Sequence, residues 1–150
     1  MAQPIAEPCS RGIIDAAPEP IGRGLSLPHR RMVLAACVLA SSMAFIDGSA
    51  LTVALPSLRA ALGADLASVQ WVLNGYVLAR ASLTLIGGAL ADNYGKSGVL
   101  AIGCLMFAAA SATCALAPSA AWLIAARVVQ GAGAALVTPS SLALIGAIYP

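Results

Sequence analysis

The stretch Gly87–Gly98, GGALADNYGKSG, separates two apolar runs: LTLI (83–86) with the residues before it, and VLAIGCLMFAAASATCALA (99–117) behind it. Gly87, Gly88 and Gly95 supply backbone freedom. Asp92 and Lys96 place charge where the flanks carry almost none. Such punctuation predicts two helices that turn back sharply and pack close, with Asp92 ending one beside the N-terminus of the next.

Composition says what solvent those helices meet. Of the 150 residues, 60% are hydrophobic and 9% charged, where soluble domains carry roughly 25% charge. The mean hydropathy is +0.90. A chain so apolar cannot hide its surface from water by folding on itself, so the bilayer is its expected solvent. A net charge of +2 is too small to suggest nucleic acid. Cys9, Cys37, Cys104 and Cys114 lack metal-ligand spacing, and the last three lie in apolar runs. They are expected to pack as small hydrophobes rather than as a disulfide framework.

Four spans follow: Val33–Pro56, Val69–Ala91, Gly98–Leu116 and Ala120–Ile148. Each reaches or approaches the ~20 residues that cross ~30 Å of hydrocarbon. The runs do not alternate, which argues against a barrel. The predicted class is all-α and integral to the membrane. Residues 1–31, with five prolines and scattered Arg and Glu, read as a disordered tail rather than a signal peptide. Residues 32–150 form the transmembrane part. The fourth span contains Pro139, so tilt or a kink is expected there.

Charge orients the spans. His29, Arg30 and Arg31 abut the first, and Lys96 lies in the second loop, whereas the first loop has only Arg59 against Asp65. The positive-inside rule then puts both termini and the Gly87–Gly98 turn in the cytoplasm; the membrane expected is a bacterial-type plasma (inner) membrane. Trp71 and Trp122 fall at the outer ends of the second and fourth spans, where an aromatic belt belongs. Small residues recur every fourth position at Ala36, Ala40, Ala44 and Gly48, and at Gly131 and Ala135, a spacing that lets backbones approach.

The ionisable residues at depth are Asp47, Arg80 and Arg127. Each costs about 2.5–3.5 kcal/mol on insertion scales, so they are expected to face a cavity or one another. Counted from Pro56, Asp47 lies roughly 14 Å below the outer surface, and Arg127 roughly 10 Å below it. Arg80 is deeper, on one face with Tyr76 and Thr84, and is the competing partner for Asp47. Arg127 shares a face with Thr138 and Ser141. The alternative is a structural ion pair that only fixes helix packing, a stronger rival for Arg80 than for Asp47 with Arg127.

Three motifs resemble a known family. FIDGSALTVALPSL (45–58) is similar to the first-helix motif of proton-driven multidrug exporters of the major facilitator superfamily: Asp47, Ala54, Leu55 and Pro56 match, Ser49 stands for a Thr and Thr52 for an Asn. GGALADNYGKSG resembles the superfamily's loop between helices two and three. Gly88, Leu90, Ala91, Asp92 and Gly95 match and Lys96 keeps one basic position, while Asn93 and Ser97 replace two others. LIAARVVQGAGAA (123–135) resembles the fourth-helix motif, with Arg127, Gln130, Gly131 and Gly133 in place. The closest branch is the fourteen-helix drug:proton antiporters.

The resemblance implies a proton as coupling ion and no other cofactor. It implies a gating loop at Gly88, Asp92, Gly95 and Lys96, and coupling chemistry at Asp47 and Arg127, with Arg80 an addition peculiar to this chain. Drawing Arg127 away would let Asp47 load a proton. Family members have two halves built from three-helix repeats, so 150 residues are expected to be the N-terminal fragment of an exporter, part of its first half and incapable of transport alone. The alternatives are a small four-helix transporter working as an oligomer, or a non-transporting membrane scaffold. No nucleophile–base pair, metal set or cofactor loop suggests an enzyme. The expected partners are membrane lipid and, with the missing helices supplied, a small-molecule substrate.

Overall fold

A computed structural model describes residues 26–148, and among these every regular element is a helix: α1 Leu27–Leu62, α2 Leu66–Tyr94, α3 Lys96–Ala115 and α4 Ala120–Ile148. The tail expected over residues 1–31 lies outside the described residues as far as residue 25. Its last five positions are helical. Ser26 caps α1 in an extended conformation and Pro28 occupies the first turn, where a missing N–H costs nothing because no helical acceptor precedes it. Proline was a helix-start signal there.

Pro56 likewise does not end α1. The helix runs through it to Leu62 and stops at Gly63, whose left-handed φ of 57° turns its N–H onto the Arg59 carbonyl. Nearby, Thr52 and Ser57 turn their hydroxyls onto the Gly48 and Ala54 carbonyls of the same helix. Asp65 then opens α2, accepting the Ser68 N–H at 3.1 Å.

The turn at Gly87–Gly98 is tighter than its sequence suggests. Gly95 alone, at φ 95° and ψ 126°, closes α2 and opens α3. Gly87 and Gly88 lie inside α2 and belong to packing: a Cβ on Gly87 would sit 2.5 Å from the Ala135 carbonyl oxygen. Asp92 lies in the last turn of α2, not beyond it.

α4 is the central helix. It meets α2 where Gly131 touches the Tyr76 backbone, and α3 where a Cβ on Gly133 would be 2.8 Å from the Phe107 nitrogen. Residue numbers rise together along α2 and α4, so these two run parallel. α1 runs antiparallel to α4, joined by Arg30 donating to the Ile148 carbonyl, Ser41 to Ser141 at 3.1 Å, and Asp47 to Arg127. Small apolar clusters fill the seams: Cys37, Ala40, Leu100 and Val137 in one, Ala44, Tyr76, Phe107 and Ala134 in the other. The close-approach stripe expected on α1 is different in detail. Ala36 is exposed, Cys37 takes its place, and nothing lies within 4 Å of a Cβ on Gly48.

By length and composition α1, α3 and α4 can each cross a membrane. α2 has the length at 29 residues, but Asn74, Arg80 and Thr84 dilute its apolar character. The outward surface carries Phe45, Val53, Leu85 and Leu105, each more than 70% exposed. A water-soluble protein would not leave so many large side chains uncovered. Trp71 and Trp122 are half exposed near the starts of α2 and α4, at the same end of the bundle.

Candidate functional site

Three side chains close a ring in the bundle interior. Arg127 and Gln130 stand one turn apart on α4 and so share a face. Asp47 reaches them from α1. Arg127 Nη1 donates to Asp47 Oδ2 at 2.7 Å and to Gln130 Oε1 at 2.7 Å. Gln130 Nε2 donates to Asp47 Oδ1 at 2.8 Å. Both carboxylate oxygens are therefore engaged. Gln130 is fully buried and Arg127 nearly so, at 3%. The Asp47 side chain keeps 18% of its surface, on a groove of about 700 Å³ between α1 and α3 lined by Met43, Phe107 and Ser111.

The helix lengths change the depth on which the pairing was reasoned. Asp47 lies fifteen residues before the end of α1, about 22 Å, while Arg127 is seven residues into α4, about 10 Å. The two meet because α1 overshoots the start of α4 by roughly two turns. Depth counted from Pro56 placed them level for a different reason: that proline lies near the level where α4 begins.

Two neighbours were not legible as part of this ring. The Tyr76 ring lies under the Arg127 guanidinium, 4.7 Å from its centroid, an attraction that grows when desolvated. Cys114 of α3 donates its thiol to Gln130 Oε1 at 3.6 Å. Tyr76 was placed on a face with Arg80, and no local signal ties a cysteine in an apolar run to a glutamine on another helix. Arg127 Nε is buried with no hydrogen-bond partner.

Arg80 is not Asp47's partner. It is half-buried and donates to Thr138 Oγ1 on α4 at 3.3 Å, so Thr138 serves Arg80 and Ser141 serves Ser41. The turn residues sit elsewhere. Asp92 is exposed at the end of α2 and Lys96 half-buried at the start of α3. Among the described residues neither forms an ion pair. Each also sits at the helix end whose dipole disfavours its charge. Gly88 faces Pro139 at ordinary contact distance, and Gly133 packs against Phe107.

Chemically, the ring holds the Asp47 carboxylate by one charged and one neutral donor. Taking either partner alone is costly, about 3–5 kcal/mol for a broken buried pair.

Residues 37–150 match the sequence profile of the Major Facilitator Superfamily. The chain is 43% identical over 117 residues to the methylenomycin A resistance protein of Bacillus subtilis, covering 78% of this chain and 25% of that protein. It is 37% identical over 146 residues to the probable actinorhodin transporter of Streptomyces coelicolor, covering 95% and 25%. With the cephamycin export protein CmcT of Amycolatopsis lactamdurans it shares 49% over 113 residues, covering 73% and 23%. The chain spans about a quarter of the length of these relatives.

Proposed function

The chain belongs to the Major Facilitator Superfamily, and from that premise we propose that it forms the first four helices of a proton-coupled exporter of small molecules. The observation that carries the reading is the ring itself: Asp47 has both oxygens held by Arg127 and Gln130, within helices apolar enough to span a bilayer. A coupling carboxylate must be ionised in one state and protonated in another. Here the ionised state is held by donors from a different helix, so a relative movement of α1 and α4 exchanges one state for the other.

The resistance and export proteins among the relatives support efflux as the direction. Both ends of the chain lie in the cytoplasm in this reading, by the positive-inside rule. Asp92 and Lys96 then face the cytoplasm as gate charges. That they lack an ion pair within these four helices fits partners supplied by another part of the transporter. Alternating access needs one half to rock against the other about a midplane site, so the 150-residue chain inserts but does not transport.

The test has two arms. In everted vesicles the chain alone should give no pH-gradient-driven movement of a fluorescent cation. In a full-length relative carrying these residues, Asp47→Asn and Arg127→Ala should each abolish coupled transport and leave insertion intact. Efflux by the chain alone that Asp47→Asn removes would instead establish a small oligomeric transporter. Coupled transport that survives either substitution in the relative would end the coupling assignment.

A further inference from the structure

The interior of the bundle holds more positive charge than the ring uses. Within the spans the ionisable residues are Asp47, Arg80 and Arg127, one carboxylate against two guanidinium groups. Asp47 is spent, with one oxygen on Arg127 and the other on Gln130. Arg80 lies fourteen residues from each end of α2, about 21 Å either way, and so at its middle. Its hydrogen bond goes to a hydroxyl, Thr138 Oγ1, and no carboxylate among the described residues pairs with it. A guanidinium at mid-depth without a counter-charge is expensive, and residues of this kind mark substrate or ion pathways.

A second group points the same way. Tyr76 is only 5% exposed, and its hydroxyl, which faces the Arg80 guanidinium, finds no acceptor for its own proton. That hydroxyl lies within electrostatic reach of Arg80, while the ring of the same residue carries Arg127 on its face. A buried hydroxyl without a partner loses free energy that an added acceptor would restore. Thr138 completes the set: its oxygen accepts from Arg80 and its proton goes to the Ala134 carbonyl, so it steadies the guanidinium. Arg80 is half-buried rather than sealed.

We propose that Arg80, Tyr76 and Thr138 form a mid-membrane site for the carboxylate of a small organic acid. A guanidinium fork matches a planar carboxylate through two parallel hydrogen bonds and binds it as an ion pair. The Tyr76 hydroxyl supplies a further donor. In taking the bound acid as cargo, this inference rests on the exporter reading; the binding itself does not require Asp47 to carry protons.

The experiment uses the 150-residue chain in phosphatidylcholine nanodiscs and radiolabelled benzoate as the probe, measured by equilibrium dialysis at low salt. Saturable binding of one benzoate per chain is expected, unaffected by benzamide, which has the same shape without the charge. Arg80→Gln should weaken binding on the order of tenfold or more, the loss of a charge-assisted pair. Should Arg80→Gln fail to fold, as judged by helicity, Arg80→Lys and Thr138→Val carry the test. Both keep the charge, and each should weaken benzoate several-fold, the first by removing the fork and the second by releasing it. Benzoate affinity that is the same in the parent and these variants overturns the site, as does the lack of saturable binding or competition by benzamide. Displacement of benzoate when phosphatidylglycerol replaces phosphatidylcholine would assign Arg80 to lipid headgroups and equally overturn the organic-acid proposal. Failure of these arms leaves the Asp47 transport experiment standing, and failure there leaves benzoate binding measurable.

Discussion

Gly131→Ala puts a methyl group where α4 touches α2. That carbon would lie 3.1 Å from the Tyr76 carbonyl carbon and 3.1 Å from the Ala79 Cβ, and closer still to the Tyr76 carbonyl oxygen. Carbon atoms rest at about 3.5–4.0 Å, so the helices must part by roughly 0.4–0.9 Å. Backbone atoms cannot swing aside as a side-chain tip can. Overpacking of this kind costs about 1–3 kcal/mol, and the better helix propensity of alanine returns up to about 1 kcal/mol. The net expectation is a loss of up to about 2 kcal/mol. Gly98→Ala on α3 is the reference: nothing lies within 4 Å of its Cβ, so only the propensity gain applies. The pair should differ by about 1–3 kcal/mol in unfolding of the purified chain by SDS titration, followed by far-ultraviolet circular dichroism. The parting also lifts the Tyr76 ring from Arg127, so the same substitution in a full-length relative should impair coupling. Equal stability of the two variants would refute the close helix contact from which all of this follows.

Other expectations are more local. Gln130→Leu removes a fully buried amide that touches Asp47, Arg127 and Cys114; membrane double-mutant cycles average about 0.6 kcal/mol per hydrogen bond, so a loss on the order of 1–2 kcal/mol should appear in the same SDS titration. Asp65 is held below its ordinary value of 3.8 by the Ser68 side chain foremost and then the Ser68 amide; its capping contribution is present above about pH 4 and is lost as pH falls through the lower folded value, which hydrogen exchange at the start of α2 should register as faster opening in acid. A protection factor there, corrected for the intrinsic exchange rate at each pH, that is larger at pH 3 than at pH 7 would contradict that sign. Asp92→Asn should shift the stability of the chain by less than about 0.5 kcal/mol, since its carboxylate is exposed and unpaired within these helices, as thermal unfolding in detergent would measure.

The sequence revealed helices by their length and polarity, because those are properties of continuous segments. Two kinds of signal mislead, because their meaning depends on surroundings that the residue itself does not show. Pro28 and Pro56 read as breaks in the sequence, although one sits in the first turn of α1 and the other rides inside it as far as Gly63. Gly87 and Gly88 were assigned to a turn, although their use is set by Ala135 and Pro139 across the α2–α4 seam. Asp47 and Arg127 could be reasoned toward each other, since a buried charge demands a partner. Arg80 offered the same demand and no way to choose Thr138, because a hydroxyl partner leaves no mark in composition. Cys114 could not be found at all.

The seams of the bundle are unequal in kind, and that has a mechanical consequence. α2, α3 and α4 are fastened backbone to backbone through Gly87, Gly131 and Gly133, contacts that are stiff because the nearest atoms are backbone and cannot swing aside. α1 is fastened to α4 chiefly by side-chain tips, with Asp47 and Ser41 among the rivets. Pulled by its N-terminus, the molecule should therefore peel off α1 as one unit before the remaining three helices part. The force needed for that first event should fall when Asp47→Asn weakens the Arg127 contact, which would make the charge on that one side chain a control on the rigidity of the bundle.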